Sequence, residues 1–399
     1  MKLREDPPVD LTYCLNVHPG ETLREIVEAL RGPVKQVRDM VARGGPFGLG
    51  LRLGAQAVRE LLEGDALSRF QALLAENGFY VFTLNGFPYG EFHGGAVKEN
   101  VYKPDWGTRE RLDYTRNLVE ILAALLPEGS AGSISTVPGS YKTWVQDPAG
   151  AELIARNLSE CAFHCLQAEE SRGRIVRIGL EPEPDCYLES AGDSVEFFRK
   201  VLIPIGSQHL KRRYGIVESR AEEILRSYLG ICLDTCHEAV LFTDPAASLS
   251  LLAGSGIEVV KIQLSAALEA EDTEAARRAL VSFRDEVYLH QVKLRTAAPA
   301  VLSFPDLDPF LRTEPSGGTF RVHFHIPLYA EPEPPLRSTS HALSGDFFQA
   351  VLSRPQVHLE IETYTFGVLP SSLRTCPLPE SIAKEYRWVL GRLEPRLRL

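Results

Sequence analysis

Three short stretches place carboxylates where apolar runs end. "GLEPEPD" carries Glu181 and Glu183, "CLDTCH" carries Asp234 with His237 three residues later, and "EIETYT" carries Glu360 and Glu362. Acidic side chains gathered in a buried site must take up protons or share a cation, because burial and like-charge repulsion both oppose ionisation. Oxygen donors joined by an amide and an imidazole point to one divalent ion, Mn²⁺, Mg²⁺, Co²⁺ or Zn²⁺, rather than to a thiolate-rich structural zinc. Asp234 could equally cap a following helix, and His237 could be a hydrogen-bonded core histidine.

On a strand, residues two apart share a face. In "GICLDTCH", Ile231 and Leu233 suit the helix-facing side, which turns Gly230, Cys232 and Asp234 inward. By the same alternation Val176, Ile178 and Leu180 face outward and Arg177, Gly179, Glu181 and Glu183 inward. Leu359 and Ile361 face outward and His358, Glu360 and Glu362 inward. In "VVKIQLS", Val260, Ile262 and Leu264 face outward and Lys261, Gln263 and Ser265 inward.

These runs belong to a repeating pattern. Strand-like segments start at Leu11, Gly48, Phe79, Ser133, Ile175, Leu229, Val259 and Val357, with amphipathic helical patterns between them, among them those from Glu21, Arg109, Gly150, Ala246 and Gly345. Eight β/α units predict an α/β fold, a (β/α)8 TIM barrel with its active site at the C-terminal rim of the strands. A proline-rich stretch at about 285–340, containing "VYLHQVKL" and "FRVHFHIPLY", reads as an insertion between the seventh and eighth strands, leaving residues 1–399 one domain. The loop from Asn85 to Trp106, with Tyr89, His93 and Tyr102, has the make-up of a lid, and Asn16 and His18 stand at the end of the first strand, so Asn16, His18, Asn85 and Tyr89 are candidate substrate contacts.

Composition narrows the class. With 43 basic and 53 acidic residues the chain carries a formal charge of −10, which disfavours general affinity for nucleic acid. Seven scattered cysteines lack both zinc-knuckle spacing and a secreted disulfide framework. The N-terminus "MKLREDPPVDLTYC" has charges and prolines where a signal peptide needs an apolar core, so a cytoplasmic protein, not embedded in a membrane, is expected.

"LEPEP", "CLDTCH" and "EIETYT", in this order, resemble the ends of the fifth, sixth and eighth strands of the xylose isomerase-like TIM barrels, which include sugar epimerases and endonuclease IV. The resemblance implies metal ligation by Glu181, Asp234 and Glu362. "VPGS" at Val137–Ser140 is similar to "HPGS" of endonuclease IV, but Val137 replaces its histidine, Gln263 stands at the seventh-strand histidine position, and "HFH" at His323–His325 replaces an Asp-x-His. These departures speak against a three-zinc phosphodiesterase and for the one-metal epimerase branch, with Gln263 as the remaining ligand, aided by His325. "LTYCLNVHPGE", "NGFPYGEFHG", "ENVYKPDW", "YLHQV" and "ETYTFGVLP" resemble the EboE metabolite traffic proteins. That likeness implies a functional link to a prenyltransferase-like membrane protein in natural-product precursor metabolism or export.

The expected activity is isomerisation or epimerisation of a small polyhydroxylated carbonyl compound. Glu181 and Glu362 would act as base and acid at the carbon beside the carbonyl, with His237 on a substrate oxygen and Glu183 and His325 as further substrate contacts. Two alternatives share the barrel: a Schiff-base lyase using Lys261 as the catalytic amine, and a non-catalytic carrier or scaffold for a small molecule.

Overall fold

The computed structural model describes residues 1–42, 44–93, 95–298 and 300–397. All eight strand-like runs form strands: β1 (Val9–Tyr13), β2 (Phe47–Arg52), β3 (Phe79–Asn85), β4 (Gly132–Thr136), β5 (Val176–Leu180), β6 (Leu229–Asp234), β7 (Val259–Leu264) and β8 (Val357–Ile361). From β2 to β8 and on to β1 each pairs in parallel with its neighbour. Cys14, just past β1, bridges to Gly50 of β2 and closes the barrel. Lys2–Arg4 adds a ninth strand, antiparallel to β1.

The helices sit where the periodicity places them, and local chemistry sets their ends. Thr108 accepts the Arg111 N–H at the start of Arg109–Leu125, and Asp147 accepts that of Gly150 at the start of Pro148–Arg172, which Gly173 ends at φ 66°. Their apolar faces and the outward side chains of the strands form one continuous core, which also takes in the second sheet.

Two strands, β7 and β3, depart from simple alternation. Ile231 pairs with Val259 but Cys232 with Lys261, so Val260 is the extra residue of a bulge. Val260 therefore faces the lumen and not the helices: Cβ atoms added to Gly179 and Gly230 would lie 2.8 and 2.9 Å from its methyl groups. The bulge lets two successive residues, Val260 and Lys261, point inward. A similar slip between β2 and β3 skips Phe82, whose ring lies 5.0 Å from that of His358. Phe82, Val260 and His358, the last hydrogen-bonded to Ser133 Oγ at 2.9 Å, fill the lower lumen.

Between β7 and β8 lies a second, antiparallel sheet, in the order Val301–Phe304, Val292–Arg295, Thr319–Ile326, Ala266–Glu271, Arg337–Ser338. It begins directly after β7, so the strands of the inserted segment span more than 285–340. Its central strand, Thr319–Ile326, delivers two histidines to the barrel mouth. Among the described residues no helix is long and apolar enough to cross a membrane, and all seven cysteines are free thiols, six of them buried.

Candidate metal centre and active site

Glu181 follows β5, Asp234 ends β6 and Glu362 follows β8. One carboxylate oxygen from each lies within 4.8 Å of the other two, and all three residues are buried. Asp234 meets both of its sequence readings at once. Its Oδ1 accepts the N–H groups of Cys236 (2.7 Å) and His237 (3.1 Å) and the hydroxyl of Ser265 (2.6 Å), capping the helix Thr235–Val240. Its Oδ2 has no partner, and neither has Glu181 Oε2. Glu362 Oε1 accepts from Nδ2 of Asn16 at 2.7 Å and of Asn85 at 3.2 Å.

Burial, then the charges of Glu362 and Asp234, push the Glu181 carboxyl well above the usual range. Burial, then Asp234 and Glu360, do the same to Glu362. Burial also opposes the charge on Asp234, but His237, His325 and the Ser265 hydrogen bond outweigh it and its pKa falls. Two acids starved of charge beside one that keeps it, with two buried oxygens unpartnered, make a donor set that fits a divalent cation.

Three imidazoles border this set. His237 Nδ1 faces Pro182 O at 2.9 Å, His325 Nδ1 faces Glu362 O at 2.9 Å and His323 Nδ1 faces Gln291 Oε1 at 2.7 Å. Gln291 Nε2 in turn donates to Pro184 O at 3.0 Å, which orients its amide. These contacts fix each ring through its Nδ1 and turn its Nε2 toward the other imidazoles. These Nε2 atoms approach one another to 3.1 Å (His237–His323) and 3.2 Å (His323–His325). Burial holds His325 down at about 4. Asp234 and the pair His237 and His325 also lie within 4.8 Å of one another, so nitrogen donors are available next to the oxygen set.

Gln263 and Lys261 lie deeper. Gln263 Oε1 accepts the Cys232 thiol at 3.0 Å, while Nε2 is unpartnered, so the oxygen expected to reach a metal is engaged elsewhere. Lys261 Nζ sits 2.6 Å from Glu360 Oε2, both fully buried, and 3.2 Å from Ser135 Oγ. Room for Glu360 comes from Gly50, where an added Cβ would fall 1.9 Å from its Oε1. Burial alone would lower the Lys261 pKa, but Glu360 reverses this and raises it. The amine is thus held as an ammonium away from the cleft, which opposes a Schiff-base role.

Asn16, Asn85, Glu181, Glu183, His237, His325 and Glu362 all line one cleft at the barrel mouth. His18 and Tyr89 do not join them. His18 Nε2 is taken by Tyr13 OH at 2.8 Å, inside the core, and Tyr89 OH donates to Glu110 at 2.8 Å on the outer side of the lid. Glu183 accepts from Tyr102 OH at 2.7 Å. Missing from the sequence-derived set are His323, Gln291 and Ser265. The i, i+2 spacing in "HFH" and the inward series Lys261, Gln263, Ser265 were the available signals.

No family model matches this sequence, and no curated protein matches it. Among solved structures the chain is similar to a xylose isomerase-like TIM barrel protein from Mycobacterium smegmatis in complex with magnesium, with 12% identity, 97% of each chain covered and a TM-score of 0.53. It also aligns with an L-ribulose 3-epimerase (13% identity, 97% of this chain and 95% of that one, TM-score 0.48) and with the IolI protein carrying a zinc atom (12%, 97% and 99%, TM-score 0.48). The fold is that of the xylose isomerase-like TIM barrels, the class whose strand ends the sequence resembles.

Proposed function

We propose that this chain is a divalent-metal-dependent isomerase or epimerase acting on a small carbonyl compound with adjacent hydroxyls. The observation that carries the reading is the trio Glu181, Asp234 and Glu362, mutually within 4.8 Å and holding two unpartnered buried oxygens. Those residues would hold the ion, which when bound supplies Lewis acidity to neighbouring carbonyl and hydroxyl oxygens. Glu181 and Glu362 come from different strands and have raised proton affinity, so one can take the proton from the carbon beside the carbonyl while the other returns one. His237 and the free Asn16 Oδ1 orient substrate oxygens. One domain is the simplest organisation, since a single apolar core spans the barrel and the second sheet.

The EboE-like motifs support placing the reaction in natural-product precursor metabolism or export, in the cytoplasm, beside a membrane prenyltransferase-like protein. A carrier without turnover is the second reading, favoured by the engagement of Gln263 Oε1 with Cys232. Protein purified without chelators should contain about one equivalent of Mn, Mg, Co or Zn, falling below about a tenth in Glu181→Gln. Undiminished metal in that variant, or none in the wild type, sinks both the metal centre and the enzyme built on it. With metal present, exchange of a substrate C–H in deuterated water separates enzyme from carrier.

A further inference from the structure

The cleft above the carboxylates has two unlike halves. Its floor holds the polar groups described above, and its wall is Phe87, Phe92, Val101, Tyr288, Leu289 and Tyr364, around a cavity of ≈ 60 Å³. The polar atoms along the wall are mostly occupied by the protein itself. Tyr288 OH meets His93 Nδ1 at 2.9 Å, Tyr102 OH donates to Glu183 at 2.7 Å, and Lys98 Nζ donates to Tyr288 O at 2.6 Å and to Asp306 at 2.8 Å. Among the described residues, Tyr364 keeps the one wall hydroxyl without an intramolecular partner.

Half of this wall, Phe92, Tyr288 and Tyr364, belongs to a small second apolar cluster, while Phe87 lies in the main core and Val101 and Leu289 pack against it. Phe92, Val97 and Tyr288, with Val101, Val287, Tyr364 and Val368 packed against them, join the lid loop, the inserted segment and the loop after β8. The Phe92 ring lies 5.2 Å from Tyr288 and 5.3 Å from Tyr364, and those two lie 5.0 Å apart. The cluster is tied across by Val97 N–H to Val287 O at 2.8 Å. A cluster with so few buried members, joined to the main core through Val101 and Val368, can part locally at little cost. It then offers ring faces and methyl groups to whatever enters.

A free sugar would turn several hydroxyls toward this wall, where each loses water and gains no partner. We propose instead that the ligand is amphiphilic, with an α-hydroxycarbonyl head for the floor and a ring-sized apolar substituent for the wall. The head rests on the metal-centre reading above; the substituent rests on the wall alone.

Calorimetric titration of the metal-loaded protein with 1-hydroxy-3-phenylpropan-2-one, hydroxyacetone and D-fructose tests this. The first two share one head and differ in the ring. The phenyl ketone should bind about 100-fold more tightly than hydroxyacetone, and that margin should fall below about tenfold in Phe92→Ala and in Val101→Asn, with metal content unchanged. A margin below about threefold in the wild type, or tighter binding of D-fructose than of the phenyl ketone, overturns the proposal. Repeating the titration on chelator-stripped protein separates the two readings. A margin that survives stripping upholds the apolar wall even if the metal centre fails, whereas loaded protein without a margin defeats the wall and leaves the metal centre standing.

Discussion

Two groups of buried acid share this barrel and are treated in opposite ways. In the lumen Glu360 has its own cation, Lys261 Nζ at 2.6 Å, with both side chains fully buried. Above it Glu181, Asp234 and Glu362 crowd together with hydrogen-bond donors for some of their oxygens and no side-chain cation among them. The lower pair balances its charge within the chain, although Glu360 Oε1 has no hydrogen-bond partner. The upper trio has no such cation, and that shortfall of positive charge, with Glu181 Oε2 and Asp234 Oδ2 unpartnered, suits it to the metal proposed above.

Breaking the lower pair should have the largest effect. Lys261→Met leaves Glu360 buried and alone, and is expected to cost about 3–5 kcal/mol of stability with or without metal, read from denaturant midpoints. Lys261→Met combined with Glu360→Met should recover most of that loss. If the double variant is as unstable as the single one, the pair is not self-contained.

Glu385 gives a pH-dependent version of the same contrast, since it is an acid buried with hydrogen bonds but no cation. Burial lifts its pKa from 4.5 to about 7, although the Leu328 N–H and the Thr363 hydroxyl donate to it at 3.0 and 2.7 Å. The folded state therefore holds this proton more tightly than the unfolded chain. Its stability contribution is full below pH 4.5 and is lost as pH rises through about 7. At 1.36 kcal/mol per unit, wild type should lose about 3 kcal/mol relative to Glu385→Gln between pH 4.5 and 8, seen as crossing stability curves. Parallel curves would remove Glu385 from the comparison.

A smaller effect of unusual sign is expected in the upper trio. In metal-stripped protein, Glu181→Gln removes one of three crowded acids and should stabilise the fold by about 1–2 kcal/mol. A stripped variant less stable than stripped wild type would mean the trio is relieved in some other way. Smallest of all, Arg69→Ala breaks an ion pair with Asp65 whose partners are both 70% exposed, and should change stability by at most about 0.5 kcal/mol.

The barrel was legible because its parallel strands are buried on both faces and bounded by helices, so apolar runs and their polar ends stand out in the sequence. Glu181, Asp234 and Glu362 were legible for the same reason, being inward residues at strand ends. Val260 was not, because its bulge arises from the pairing of β7 with β6, a non-local event that leaves no local trace. His323 was visible as half of an i, i+2 pair, but Gln291, which orients it, lies on a separate segment. His18 looked like a site residue by type and position, and only the packing of Tyr13 shows otherwise. The apolar wall comes from three loops whose meeting no single stretch of sequence encodes.

Ser265 alone separates β7 from the strand Ala266–Glu271, and its backbone is fastened on both sides by the Thr235 hydroxyl, at 2.8 and 2.9 Å. A joint one residue long and bonded twice cannot act as a hinge, so the appended sheet must stay rigid with the barrel while ligands come and go. Any adjustment at the mouth falls instead to the loops that carry Phe92, Tyr288 and Tyr364, which meet above the carboxylates.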